Sequence, residues 1–239
     1  MILIKNNMHI LFTRPLEDCH EMILKFQSLG HEVSHLPLIN IEGLKYEPLN
    51  YSEFGGIIFT SANAVKFIDI KNIDKKKACF CVGDATEKKA RTSGFQNIFA
   101  ADGNVSNLKE LILQNFNTSQ GKLLYISGEV ISSNLDQDLI SNGYTIERII
   151  NYTVNLVEKF NDKFIEKLKL KMPEIVYIYS ENSAISFLNV IKNYHLENLW
   201  MNTNLMCIGE KTAAVLNEIK WKKIFLFNSG EEEFLLYKI

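Results

Sequence analysis

The feature that most constrains the fold is a strand-to-helix unit that occurs twice. Residues 55–65, GGIIFTSANAV, form an apolar run that breaks at Thr60-Ser61 and then takes up helical spacing, and residues 174–188, EIVYIYSENSAISFL, repeat the pattern in blurred form. Each copy is followed by a second matched unit, CFCVGDATEKKARTSG from Cys79 and LMCIGEKTAAVLNEI from Leu205. A short apolar run bounded by turn residues and followed by helical periodicity reads as a buried strand feeding a helix. Strands alternating with helices imply mostly parallel sheets with helices on both faces. The duplication therefore predicts an α/β protein of two flavodoxin-like, doubly wound lobes.

The rest of the chain extends the pattern. HILFT at His9–Thr13 reads as a buried strand, and Cys19–Leu29 places Met22, Ile23, Phe26 and Leu29 on one helical face, closed by Gly30. That opening unit has an echo in LLYISGEVISSNLDQDLISNGYTI from Leu123, so the order of units is A, B, A′, B′. Helices are also expected over Val105–Phe116, capped near Ser106, and over Thr212–Ile219. Lys75–Lys77 reads as a solvated turn, and Glu231–Glu233 as the solvated first turn of a short terminal helix. Pairing A with B and A′ with B′ gives a tandem; pairing A with B′ leaves B and A′ as an inserted lobe. Two extended stretches, 38–50 and 147–156, favour the insertion, because an inserted lobe needs two crossings. The expected division is 1–37 plus 157–239 for the first lobe and 51–146 for the second, with those stretches as a two-stranded connector.

Composition narrows the ligand. A net charge of -2 and a pI near 6.2 supply no basic field, so nucleic acid is not expected and an anionic ligand must be held by local donors. Cys19, Cys79, Cys81 and Cys207 lack C-x-x-C spacing and read as reduced thiols rather than a zinc site or disulfide framework. The five histidines show no metal spacing, so no metal is expected. Neither a P-loop nor a G-x-G-x-x-G is present, which leaves a nucleotide without its motif, and no cofactor is expected. With no apolar stretch of the ~20 residues that span a bilayer and no signal-like N-terminus, a cytoplasmic protein without membrane contact is expected.

In doubly wound sheets ligands sit beyond the carboxyl ends of the strands, where loops turn into helices. The small polar residues of this sequence fall there: Thr60, Ser61, Ala62 and Asn63; Gly83, Asp84 and Thr86; Ser127 and Gly128; Ser180, Glu181 and Asn182; Lys211 and Thr212. Each turn is expected to follow a strand and open a helix, whose unpaired N–H groups and positive dipole end suit carboxylates or phosphates. Ordinary N-capping explains any one of them; five in two matched lobes favour binding. Tyr152, in the return connector, is the candidate catalytic residue, since a phenol there can donate a proton or hydrogen bond to a leaving oxygen. Packing between the lobes is its alternative role.

At these residues the chain resembles the uroporphyrinogen-III synthase family. The resemblance is carried by FTRP at Phe12–Pro15, PLINIEGL at Pro37–Leu44, FTSANAV at Phe59–Val65, VGDAT at Val82–Thr86, ISG at Ile126–Gly128, the Tyr152 segment, YSENS at Tyr179–Ser183 and IGEKTA at Ile208–Ala213. It implies the inserted pairing and a cofactor-free cyclodehydration. Hydroxymethylbilane, a linear tetrapyrrole with eight carboxylates, loses water and closes with its last ring inverted, through an azafulvene and a spiro intermediate. Tyr152 matches the tyrosine thought to assist departure of the hydroxyl, and the Thr60-Ser61, Thr86, Ser180 and Thr212 turns match positions that meet carboxylates. Many members carry an Arg soon after the ISG-like turn where this chain has Ser132-Ser133, so the cationic contact is expected either to be missing or to have moved to Lys211 or Arg14. The resemblance implies a monomer taking a small-molecule substrate, with room for transient contact with the enzyme of the preceding step. A non-catalytic two-lobed tetrapyrrole- or anion-binding sensor is the alternative.

Overall fold

The computed structural model describes residues 7–102, 104–228 and 231–232. In chain order the elements are β1 (His9–Phe12), α1 (Leu16–Ser28), β2 (Glu32–His35), β3 (Ile39–Gly43), β4 (Phe54–Phe59), α2 (Ala62–Phe67), β5 (Ala78–Val82), α3 (Asp84–Thr92), β6 (Asn97–Ala101) and α4 (Val105–Asn115). There follow β7 (Lys122–Gly128), α5 (Leu135–Ser141), β8 (Ile146–Leu156), α6 (Asp162–Leu170), β9 (Ile175–Ile178), α7 (Glu181–Asn193), β10 (Asn204–Ile208), α8 (Gly209–Val215) and β11 (Lys223–Phe227). The chain divides into two compact units: one runs up to Asn40 and resumes at Asn155, and the other is Ile41–Val154. The second is thus an insertion in the first, with crossings inside β3 and β8, which are hydrogen-bonded neighbours in one sheet.

In the discontinuous unit the strand order is β11-β10-β9-β1-β2, every pair parallel. Successive side chains of a strand alternate faces. Leu11, Val176 and Ile178 accordingly enter one buried cluster with Phe187, Leu196 and Trp200, while Ile10, Phe12, Ile175 and Tyr177 enter another with Phe26 of α1. Trp200 lies edge-on to Phe187, centroids 4.8 Å apart. Pro37 falls in the break between the edge strand β2 and β3, where its missing N–H costs no ladder bond.

The inserted unit has the order β3-β8-β7-β4-β5-β6, with parallel pairing from β8 to β6. Ile57, Phe59, Cys79, Cys81, Leu124 and Ile126 fill one side; Ile58, Phe80, Leu123 and Tyr125 fill the other with Leu108 and Ile112 of α4 and Leu139 of α5. Near-continuous apolar strands such as GGIIF and ACFCV are what burial on both faces demands.

Several local expectations are corrected. The cap of α4 is Asn104, whose side chain accepts from the Asn107 N–H, because Ser106 already lies inside the helix. α8 begins at Gly209, three residues before Thr212, since the positive φ of Gly209 lets the chain turn directly out of β10. Lys75 and Lys77 are half-buried ties rather than a solvated run: Lys75 Nζ donates to the Ile70 carbonyl at 2.6 Å, and Lys77 Nζ to those of Tyr51 and Phe54. Glu232 is buried, its backbone carbonyl accepting from the Tyr177 hydroxyl, and Glu233 lies outside the described residues. All four cysteines are free and buried.

Candidate active site

A doubly wound sheet opens a crevice where successive connections leave in opposite directions. In the inserted unit this switch falls between β4 and β7: the chain goes outward through β5 and β6, then returns to β7 and β8. Thr60–Asn63 follow β4, Ser127 and Gly128 end β7, and Gly83, Asp84 and Thr86 follow the adjacent β5. These residues therefore meet at the carboxyl ends of three neighbouring strands.

Ser61 caps α2. Its backbone is extended, and its hydroxyl accepts from the Asn63 N–H at 3.2 Å. Thr60 Oγ1 lies 3.2 Å from the Tyr125 hydroxyl. Burial pushes the Tyr125 phenol up, opposed by the Thr60 bond and the Arg148 guanidinium, so it stays uncharged at neutral pH. Gly83, at φ 75°, turns β5 into α3 as Gly209, at φ 71°, turns β10 into α8. Thr86 and Thr212 occupy matching places in these two helices and are both buried, whereas Asp84 and Lys211 are exposed.

Ser127 and Gly128 depart from expectation. They continue β7 instead of opening a helix, and α5 starts only at Leu135. The pairing with β8 slips by one residue between them, so Tyr152 rather than Asn151 stands opposite Gly128. A Cβ at position 128 would lie 2.7 Å from Tyr152 Cζ and 2.9 Å from its hydroxyl oxygen; only glycine admits the ring there. The ring also stacks on Phe67, with centroids 6.5 Å apart. Asn151 anchors the strand through Nδ2 to the Ala64 carbonyl at 2.8 Å. The Glu129 N–H donates to the Tyr152 carbonyl at 3.0 Å, and the Thr153 hydroxyl to the Glu129 carboxylate at 2.7 Å. Tyr152 is 9% exposed, and its hydroxyl forms no hydrogen bond among the described residues.

The turn has a further support that sequence reasoning missed. Arg148 Nε donates to Ser127 Oγ at 2.8 Å, and Nη2 donates to the Gly128 carbonyl at 2.9 Å and the Glu129 carbonyl at 3.3 Å. The one available signal was rarity, since Arg148 is one of three arginines in the chain.

In the discontinuous unit the switch lies between β1 and β9, and Arg14 and Ser180–Asn182 flank it, with Lys211 and Thr212 beyond the adjacent β10. The Arg14 guanidinium carbon stands 4.7 Å above the Tyr179 ring, and Nη2 is 3.9 Å from the Asp18 carboxylate. Burial, reinforced by Glu232, holds the Tyr179 phenol well above its usual range, so Arg14 rests on a neutral ring. His35 Nε2 donates to the Arg14 carbonyl at 2.7 Å, and the Thr13 hydroxyl bridges to the Tyr177 carbonyl at 2.5 Å, tying β1 to β9. Ser180 caps α7, accepting from the Ser183 N–H at 3.1 Å, and leaves Glu181 and Asn182 exposed in the first turn. A separate groove of about 470 Å³ runs along β1 and β2 beside α6, lined by His9, Leu11, Ser34, His35, Leu168 and Lys171 among others.

Among the described residues no group of three or more His, Cys, Asp or Glu could hold a metal ion, and no helix is long and apolar enough to cross a membrane. A sequence model of the family described as uroporphyrinogen-III synthase HemD matches residues 20–226. None of the curated protein sequences compared matches the chain. Among solved structures, the chain is similar to the uroporphyrinogen-III synthetase of Helicobacter pylori, with a TM-score of 0.59 and 20% identity over 91% of this chain and 92% of that one. It is also similar to a mutant uroporphyrinogen III synthase from Thermus thermophilus, with a TM-score of 0.57 and 14% identity over 97% of this chain and 96% of that one. At such identities these likenesses speak for the fold.

Proposed function

Because the chain belongs to the uroporphyrinogen-III synthase family, whose members are cyclising lyases of heme biosynthesis, we propose that it holds hydroxymethylbilane by its carboxylates and closes it with the last ring inverted. The family match over residues 20–226 carries the activity. For the residues that perform it, the main support is Tyr152: a nearly buried phenol with an unpartnered hydroxyl, seated on Gly128 at the carboxyl end of β7.

Tyr152 then donates its proton to the departing hydroxyl of the substrate. The pyrrole nitrogen's electron pair expels water and leaves an azafulvene; the substituted α-carbon of the last ring attacks it to give a spiro intermediate. The original bond from that carbon to the neighbouring methylene breaks to give a second azafulvene, and the last ring, now turned over, closes on that methylene through its free α-carbon. The phenolate recovers the proton released when the new carbon–carbon bond restores the pyrrole. General acid help of this kind contributes roughly 10²–10⁴-fold. The larger task is positioning, because the uninverted product forms without help. Main-chain N–H groups at Thr60–Ala62, Asp84–Ala85, Gly128, Ser180–Asn182 and Lys211–Thr212, with the Arg14 guanidinium, are the proposed carboxylate contacts, while the N–H groups of Asn63, Gly83 and Thr86 are held by Ser61 Oγ and the carbonyls of Ala101 and Gly83 and keep the turns in shape.

Nucleic acid is not a partner in this reading, given the net charge of -2. The four free, buried cysteines support a reducing, cytoplasmic setting. Each unit completes its core from its own residues, which supports a monomer. Freshly prepared hydroxymethylbilane given to the purified protein, with products oxidised and separated by isomer, tests the activity. Type III above the spontaneous background is expected; type I alone would overturn it.

A further inference from the structure

The inserted unit holds a cation that the roles above leave unused. Arg148 is the third residue of β8, paired with Tyr125 of β7, and its guanidinium carbon is 5.9 Å from the Tyr125 ring centroid. Nε and Nη2 between them reach three acceptors in three consecutive residues, Ser127 Oγ and the carbonyls of Gly128 and Glu129. A planar fork of donors can span such an arc, and a point-charge ammonium cannot. The residue in the middle of the arc, Gly128, is the one the Tyr152 ring lies against. Tyr125, next to the guanidinium, is in turn 3.2 Å from Thr60 Oγ1, so the contacts run from β8 through β7 to the turn after β4. Nη1 is left: it has no protein partner among the described residues, and Arg148 as a whole is only half-buried. No side chain of Asp or Glu forms an ion pair with it among the described residues.

We propose that Arg148 is the positioning residue for Tyr152, clamping the Ser127–Glu129 turn beneath the phenol, and that its free Nη1 takes one substrate carboxylate. This rests on the activity proposed above. A single cation thereby fixes the acid and an end of the substrate to the same three residues, which couples the hydroxyl's departure to the fold of the bound chain.

The test uses the full-length protein with hydroxymethylbilane, comparing Arg148→Met and Arg148→Lys by KM and by kcat for type III. Arg148→Met is expected to raise KM about tenfold, the effect of one lost charged hydrogen bond, and to lower kcat as the turn relaxes. Arg148→Lys is expected to recover most of KM while kcat stays low. A role in folding alone would lower thermal stability and the active fraction without splitting the two constants. Wild-type values of both constants in Arg148→Met overturn the proposal, as does wild-type kcat in Arg148→Lys. If Arg148→Met does not fold, Arg148→Lys decides by its kcat. Should the wild type itself give only type I, the activity reading fails instead; titration with uroporphyrin III, the oxidised octacarboxylate, then decides on Arg148. An unchanged Kd in Arg148→Met would overturn the carboxylate contact.

Discussion

Replacing Gly128 by Ala probes the placement of Tyr152 without touching its chemistry. The added Cβ would stand 2.7, 2.8 and 2.9 Å from Cζ, Cε2 and the hydroxyl oxygen of Tyr152. Carbon contacts settle near about 3.5 Å, so the ring or the turn must yield by about 0.8 Å. Phe67 stacks against the ring, and the Glu129 N–H to Tyr152 carbonyl bond holds the two strands together, so neither can yield freely. Overpacking of this kind costs about 1–3 kcal/mol, which for a chain of this size lowers Tm by about 2–12 °C. Because a displacement near 1 Å at a reacting group costs about 10²-fold, type III formation should fall roughly 10–100-fold in a protein that still melts cooperatively. Single-turnover assays with isomer separation, beside thermal melts, read both effects. Added to Tyr152→Phe, the same change should lower the rate little further, since both act through one phenol. A folded Gly128→Ala protein forming type III within twofold of wild type would refute the seating of Tyr152 as a determinant of rate.

Tyr152→Phe should slow type III formation by about 10²-fold with its melting temperature nearly unchanged, because the hydroxyl has no protein partner to lose; a wild-type rate would leave Tyr152 a packing role only. Thr60→Ala removes the bond to Tyr125 and should cost about 1 kcal/mol in urea titrations, with less than a tenfold loss of rate. Asn63→Pro, which removes the N–H that Ser61 caps, should lose more activity than Thr60→Ala, and the reverse order would deny the backbone its role. Stability should fall on acidification from pH 7.5 to 5.5. Burial lowers the pKa of His9 and His31 below 6.5, so the folded state keeps them neutral while the unfolded chain protonates them. Their contribution is then full above pH 6.5 and is lost as pH falls through the window below it. His31 Nδ1 accepts from the Met8 N–H, a bond only the neutral ring can take. Urea midpoints at the two pH values check this, and a midpoint that does not move contradicts it.

Much of the fold was legible because buried parallel strands are written as apolar runs that need no partner to be recognised. GGIIF, ACFCV, LLYI and IVYI all stand as strands, and the duplicated order of units pointed to two parallel sheets. What was illegible depended on register and on tertiary partners. Strand periodicity alone puts Arg148 and Tyr152, four apart, on one face. The slip between Ser127 and Gly128 sends Tyr152 to the side of Phe59 and Leu124 instead, while Arg148 stays beside Tyr125. No local pattern marks a bulge whose cause is the fit of a ring onto a distant glycine. The polar dipeptide Ser127-Gly128 resembled a helix opening because a strand that ends in a clamped turn uses the same small residues. Lys75 and Lys77 looked solvated because the carbonyls they bind belong to segments brought near only by folding.

The central claim is that the turns at the carboxyl ends of the strands hold the tetrapyrrole, mainly by backbone N–H groups. Amide chemical shifts of isotope-labelled protein, followed while type III product is added under anaerobic conditions, test it residue by residue. The account predicts the largest saturable changes at 61–63, 84–86, 128–129, 181–183 and 210–212. Silence at those amides, with changes gathered instead at His9, Ser34 and Lys171 in the groove along β1, β2 and α6, would contradict it.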